Sequence, residues 1–197
     1  KGHTDLLQKA FKTEVVVMAF FSEHFNVSLA TIHIPINKIY KSISVELITQ
    51  QIDIINNFLK NYLKKKSPNI GICGLNPHAS EDGNIGTEDL SIISPAVKIL
   101  KSKGISIDGP YPADTLFVES NRRKFDIIHA IYHDQGLVPF KMVAFDKGVN
   151  VTLNLPFIRT SPDHGTAYDI AWKNMASPTS MEQAILLAIK FYNSSTS

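Results

Sequence analysis

Phe125-Asp126-Ile127-Ile128-His129-Ala130-Ile131-Tyr132, running straight into His133-Asp134-Gln135-Gly136, decides the fold class. The first eight residues are an apolar, β-branched run of strand length, and the next four read as a polar loop closed by glycine. The same form occurs earlier. Ile70-Gly71-Ile72-Cys73-Gly74-Leu75 is a short buried strand that empties into Asn76-Pro77-His78-Ala79-Ser80-Glu81-Asp82-Gly83, a loop of turn formers. Between the two, a helix is predicted from near Thr87, with Glu88 and Asp89 in its first turn, to Gly104, with a kink at Pro95.

Working outward, residues 14–21 and 26–34 predict two neighbouring strands. Residues 44–66 place Val45, Ile48, Ile52, Ile55, Leu59 and Tyr62 at spacings of three and four, a long amphipathic helix that ends before Pro68. Residues 149–155 alternate as a strand. Thr179-Ser180-Met181-Glu182 has the form of a capping box opening a last helix through Ile185, Leu186, Ala188, Ile189 and Tyr192, and the tail 193–197 is expected to fray. Strands alternating with helices predict a layered α/β fold, in which ligands gather at the loops beyond the strand ends.

The bulk numbers exclude several classes. The 197 residues, 44% hydrophobic and 19% charged, suffice for one good core. A net charge of +2 gives no basis for nucleic-acid binding, and Lys64-Lys65-Lys66 reads as a solvated helix end. No run approaches the roughly 18 apolar residues that span a bilayer, and no signal peptide opens the chain. The single cysteine, Cys73, fits a packed strand thiol in a reducing compartment, so a cytoplasmic protein is expected.

Three histidines stand at predicted strand ends: His33, His78 and His133. Imidazoles on loops at one sheet edge are suited to hold a divalent cation with positions open for substrate oxygens. Their separations of 45 and 55 residues match no compact ligand motif, and a histidine at a strand end is more often a capped or hydrogen-bonded structural residue. Downstream, Lys141, Asn150 and Arg159 offer an ammonium, an amide and a guanidinium for a phosphate or carboxylate, although as separate residues they also read as ordinary surface groups. Asp163-His164-Gly165-Thr166-Ala167 reads as a glycine-containing turn entering a helix, able to approach a nucleotide closely; no G-x-G-x-x-G fingerprint occurs.

Taken together and in order, these stretches resemble the 4-hydroxythreonine-4-phosphate dehydrogenase family: Gly2-His3-Thr4, Gly74-Leu75-Asn76-Pro77-His78-Ala79, Gly86-Thr87-Glu88, Gly109-Pro110-Tyr111-Pro112-Ala113-Asp114-Thr115-Leu116-Phe117, Tyr132-His133-Asp134-Gln135-Gly136, Gly148-Val149-Asn150, and Leu155-Pro156-Phe157-Ile158-Arg159-Thr160-Ser161 before Asp163-His164-Gly165-Thr166-Ala167. The resemblance covers essentially the whole chain. It implies a layered α/β/α fold of the isocitrate and isopropylmalate dehydrogenase type, with this chain as the C-terminal portion of a two-lobed enzyme whose N-terminal part is absent. It implies metal ligation by His33, His78 and His133, substrate contacts at His3, Thr4, Lys141, Asn150 and Arg159, and a cofactor turn at His164, Gly165, Thr166 and Ala167. It also implies a homodimer sharing its active sites.

The implied reaction is NAD-dependent, metal-dependent oxidation of 4-phosphooxy-L-threonine to 2-amino-3-oxo-4-phosphooxybutanoate, which decarboxylates to 3-amino-2-oxopropyl phosphate on the way to pyridoxal 5'-phosphate. Zinc, cobalt or magnesium would serve as the cation. No residue is marked by the sequence as the proton acceptor; Asp114 and Asp134 are candidates by motif position only. Where relatives read Gly-Glu-Gly-Gly, this chain reads Ser80-Glu81-Asp82-Gly83 after Ala79. The rival readings are a dehydrogenase of a phosphorylated sugar acid, such as 4-phosphoerythronate or threonate phosphate, a metal-dependent hydrolase, and an inactive metal-binding fragment.

Overall fold

The computed structural model describes residues 2–163, 165 and 167–195. In chain order its elements are α1 (His3–Ala10), β1 (Val17–Phe21), β2 (Val27–Leu29), α2 (Ile39–Ser42), α3 (Val45–Tyr62), β3 (Ile70–Cys73), α4 (Ser94–Ser102) and β4 (Ile107–Tyr111). These are followed by α5 (Ala113–Leu116), α6 (Glu119–Arg122), β5 (Ile127–Ala130), α7 (His133–Ala144), β6 (Val149–Leu153), β7 (Thr160–Pro162) and α8 (Thr179–Ser195). The described strands form one sheet in the order β4-β3-β5-β2-β1-β6-β7. The first four of that order run parallel, β1 opposes both its neighbours, and β7 opposes β6.

Helices cover both faces. Successive strand residues point to opposite sides, and in β1 Phe20 meets Phe140 of α7 while Phe21 meets Phe58 of α3 and Phe191 of α8. Strands β1, β2, β3 and β5 are buried along their whole length; β1 and β3 accordingly read as continuous apolar runs, while the polar residues buried in β2 and β5, Ser28 and His129, bond each other. Ser44 caps α3 by accepting from the Leu47 N–H, as the helix pattern predicts. Each edge strand carries a proline, Pro110 in β4 and Pro162 in β7. Among the described residues no helix is long and apolar enough to cross a membrane.

Four expectations need correction. Residues 133–136, read as a loop, are the first turn of α7. Gly136 and Pro139 weaken the helical signal, but Gly136, Leu137, Phe140 and Ala144 form a buried face that decides the matter. A Cβ at Gly136 would sit 2.7 Å from Leu29 and 3.0 Å from Ala130, so glycine is what lets α7 lie directly on β2 and β5. Second, the turn after Asp163 leads into no helix among the described residues; 168–174 are turns, and Trp172 and Asn174 have positive φ.

Third, α8 already includes Thr179, and the Glu182 N–H bonds the Pro178 carbonyl, which makes Pro178 rather than Thr179 the cap position. Its buried residues include Ala184 and Phe191, whereas Ile185, Leu186, Ile189 and Tyr192 are exposed. Of the tail 193–197 expected to fray, residues 193–195 belong to the helix, and 196 and 197 lie outside the described residues. Fourth, the sequence predicts no element before residue 14, yet His3 and Thr4 open helix α1, and Thr4 is buried. The kink expected at Pro95 takes the form of a π-helical turn, Asp89–Ile93, leading into α4.

Candidate functional site

Sheet register gathers the chemistry at one end. Ala130 pairs with Leu29, Leu29 with Met18, and Met18 with Thr152, whose N–H bonds the Arg159 carbonyl. This row lies at the C-terminal ends of β2 and β5, three residues before His133 and four before His33. Because β2 and β5 are neighbours, their exits bring the two rings side by side, with centroids 5.7 Å apart. His133 Nδ1 sits 2.7 Å from Asp134 Oδ1, which leaves Nε2 as the outward nitrogen.

His78 lies on the exit of the next strand, β3, and is exposed. Its loop is unusual. Residues His78, Ala79, Ser80, Glu81 and Asp82 all have φ between 42° and 70°, a left-handed turn that side chains normally disfavour. What holds it is Asp89, fully buried, which accepts from Leu75 N–H at 2.6 Å, Asn76 N–H at 3.1 Å and Ser80 Oγ–H at 2.7 Å. The Asn76 amide donates in turn to Ser80 Oγ and to Glu88, and that bond to Glu88 is the main reason its carboxyl titrates below the usual range.

Among the described residues no three histidine, cysteine, aspartate or glutamate side chains come together as a metal cluster. The structure thus unites His33 and His133 and keeps His78 apart from them. Two adjacent imidazoles, one oriented by a carboxylate, fit a divalent cation whose remaining positions are filled from outside the pair.

The expected substrate cations share one face. Cross-strand partners point to the same side of a sheet, so Thr152 and Arg159 lie with Leu29 on the side that α7 covers. The Arg159 guanidinium donates to Thr152 Oγ1 at 3.2 Å, and partial burial draws its pKa down by desolvation. Asn150, paired with Phe20 and Ser161, is on that face too, and its buried amide oxygen finds no partner among the described residues. Lys141, two turns along α7 from His133, reaches the Asp163 carbonyl at 3.1 Å and its carboxylate at 3.4 Å. An ammonium has three donors, so capacity remains for an anion.

The other expected residues are less tightly drawn in. His3 and Thr4 belong to α1, whose following residue Phe11 stacks edge-on against Phe157, two positions before Arg159. Asp114 and Asp134 line a common open groove of about 430 Å³ with Tyr132, Gln135 and Val138. Of the expected cofactor turn, His164 and Thr166 lie outside the described residues; Gly165 and Ala167 are exposed. Sequence reasoning missed Asp89 and Gln135 as site residues. Gln135 stood inside the Tyr132–Gly136 motif, and the signal for Asp89 was a carboxylate one turn into a helix beside a polar loop.

Comparison with known proteins shows what the chain as a whole is similar to. Residues 1–188 match the family model described as pyridoxal phosphate biosynthetic protein PdxA. A 4-hydroxythreonine-4-phosphate dehydrogenase of Desulforapulum autotrophicum is 47% identical over 95% of this chain and 55% of its own length. One from Aquifex aeolicus is 47% identical over 95% of this chain and 58% of its own. The chain therefore spans little more than half the length of these curated relatives.

Among solved structures, the 4-hydroxythreonine-4-phosphate dehydrogenase of Klebsiella pneumoniae superposes with a TM-score of 0.86 at 39% identity, covering 96% of this chain and 58% of that one. A terephthalate 1,2-cis-dihydrodiol dehydrogenase of Burkholderia xenovorans follows at 0.79 and 26%, covering 96% and 61%. The α/β layering expected of the isocitrate and isopropylmalate dehydrogenase type is the architecture found.

Proposed function

The chain belongs to the pyridoxal phosphate biosynthetic protein PdxA family, and from that premise we propose that it forms the C-terminal portion of a two-lobed, NAD-dependent 4-hydroxythreonine-4-phosphate dehydrogenase acting in the cytoplasm as a homodimer. The observation that carries the reading is α7. It opens with His133 beside His33 and, eight residues on, presents Lys141 to the face shared by Asn150 and Arg159. Eight helical residues rise about 12 Å, and helical side chains lean toward the N-terminus, so Lys141 leans back toward the histidine end. One phosphorylated substrate would then meet its hydroxyl-bearing carbon at one end and its phosphate at the other.

In this reading His33 and His133 hold a divalent cation and His78 of a partner subunit completes the set. Zinc, cobalt or magnesium bound there would lower the pKa of the substrate hydroxyl. Asp134 keeps His133 in the tautomer whose Nε2 faces outward. Arg159, Lys141 and the Asn150 side-chain NH2 group, all donors, take the phosphate, and that binding energy goes into orientation. Asp114 and Asp134, on the same groove, stand to accept the hydroxyl proton at a carboxylate oxygen. NAD, held near residues 164–167, would accept the hydride. His3 and Thr4 contact the amino acid end.

The test is NADH formation by the full-length protein with a divalent cation, NAD and 4-phosphooxy-L-threonine, run beside 4-phosphoerythronate. Turnover of the threonine compound is the expected result. A clear preference for the sugar acid would move the assignment to that reaction, and inertness toward both would overturn it.

A further inference from the structure

We propose that Gln135 is a positioning residue that sets the His78 loop against the strand exits bearing His33 and His133, an inference that rests on reading those histidines as the cation site. Its carboxamide is bonded at both ends. Oε1 accepts from the Ile131 N–H at 2.7 Å, and Nε2 donates to the Gly74 carbonyl at 2.7 Å. The ladder between β3 and β5 ends at the pair Ile72 and His129, where the strands must part to release their loops. Beyond that point the Gln135 amide stands in for a missing peptide group and adds one more rung.

That rung belongs to a continuous chain of bonds across the three exits. The Ile131 carbonyl, two residues before His133, accepts from the N–H of Thr31 at 3.1 Å and from its hydroxyl at 2.8 Å, and Thr31 lies two residues before His33. Gly74, four residues before His78, donates its own N–H to the Tyr111 carbonyl at 2.8 Å, and the next two N–H groups go to Asp89. Thr31 to Ile131 joins the exits of His33 and His133; Gln135 is the side chain that joins this pair to the exit of His78. A Cβ at Gly74 would meet Ala79 at 2.8 Å, so the left-handed turn rests directly on the peptide that Gln135 holds. With His33 and His133 on one copy and His78 supplied by another, the offset of the His78 loop from those two exits must be fixed if the copies are to complete each other's sites.

A residue that merely braces the fold would act equally on every ligand, whereas a residue acting on His78 should have no further effect once that side chain is gone. The experiment is a double-mutant cycle read by cobalt affinity of the full-length protein, measured by calorimetry without substrate. Gln135→Met removes both bonds at similar volume. Gln135→Glu keeps the acceptor for Ile131 and turns a carboxylate oxygen on the Gly74 carbonyl, which keeps the test usable if the methionine variant fails to fold. Each is expected to weaken cobalt binding about 10- to 100-fold and to cause no further loss when His78→Ala is already present. Equal losses in both backgrounds, or none in either, would overturn the inference while leaving the site assignment standing. Cobalt binding indifferent to His33→Ala and His133→Ala would overturn the site assignment, and the inference with it.

Discussion

Replacing Asp89 with alanine removes the one acceptor shared by the Leu75 N–H, the Asn76 N–H and the Ser80 hydroxyl, the last bond buried and the first two partly so. A buried donor left without a partner costs about 1–3 kcal/mol. Three such donors would cost more than the fold can absorb locally, but the loop relaxes and the expense of burying the carboxylate disappears. The net destabilisation expected is about 3–5 kcal/mol. For a chain of this size each kcal/mol moves Tm by roughly 2–4 °C, so the midpoint should fall by about 10 °C. Asp89→Asn retains one acceptor oxygen but turns an NH2 group toward at least one donor, and should lose about half as much. Urea titration of both variants beside the parent, with amide exchange followed at Leu75 and Asn76, measures the effect. If alanine costs less than about 1 kcal/mol, or asparagine costs as much as alanine, the picture of one carboxylate bearing the left-handed turn is wrong.

Burial holds His129 down to about 3, below the ordinary histidine value of 6.5, so the folded protein keeps it neutral where the unfolded chain takes up a proton. Stability from this group is therefore complete above about pH 6.5 and is lost as pH falls toward 3, at up to about 1.4 kcal/mol per pH unit. His129→Gln should flatten the slope of unfolding free energy between about pH 6.5 and 5; an unchanged slope would assign the acid sensitivity elsewhere. Arg159→Ala is expected to cost about 2–3 kcal/mol in kcat/KM with the phosphorylated substrate, and Lys141→Ala about 1–2, since its side chain is more than a third exposed. Steady-state kinetics with a substrate lacking the phosphate should show little of either loss, and equal losses on both substrates would make these cations structural.

What could be read from sequence follows from how each element is stabilised. Residues 17–21 and 70–73 were legible because fully buried strands are uniformly apolar, and α3 because its buried residues recur at helical spacing. Helix α7 was hidden by Gly136 and Pro139, although the glycine is there to admit the sheet. Strand β4 contains Gly109 and Pro110, residues that mark turns when no partner strand is known. The three histidines were visible by position, yet the meeting of His33 with His133 depends on β2 lying beside β5, a fact of strand order that no local pattern carries. Likewise Asn150 and Arg159 come to one face only through the register of β6 with β7. The bonds of Gln135 and Asp89 depend on residues 61 and 14 positions away, beyond any window of periodicity.

The sheet's two borders carry a further consequence. An outer strand with free N–H groups is a template on which another chain can lay itself, the usual route to runaway stacking. Here one border strand has Pro110 near its end and the other finishes at Pro162, and a proline offers no donor to an incoming strand. A second molecule approaching along either border meets an interrupted row of donors on a strand of five or three residues. Among the described residues, any further strand pairing at either border therefore has to begin beside a proline instead of along an unbroken row of donors.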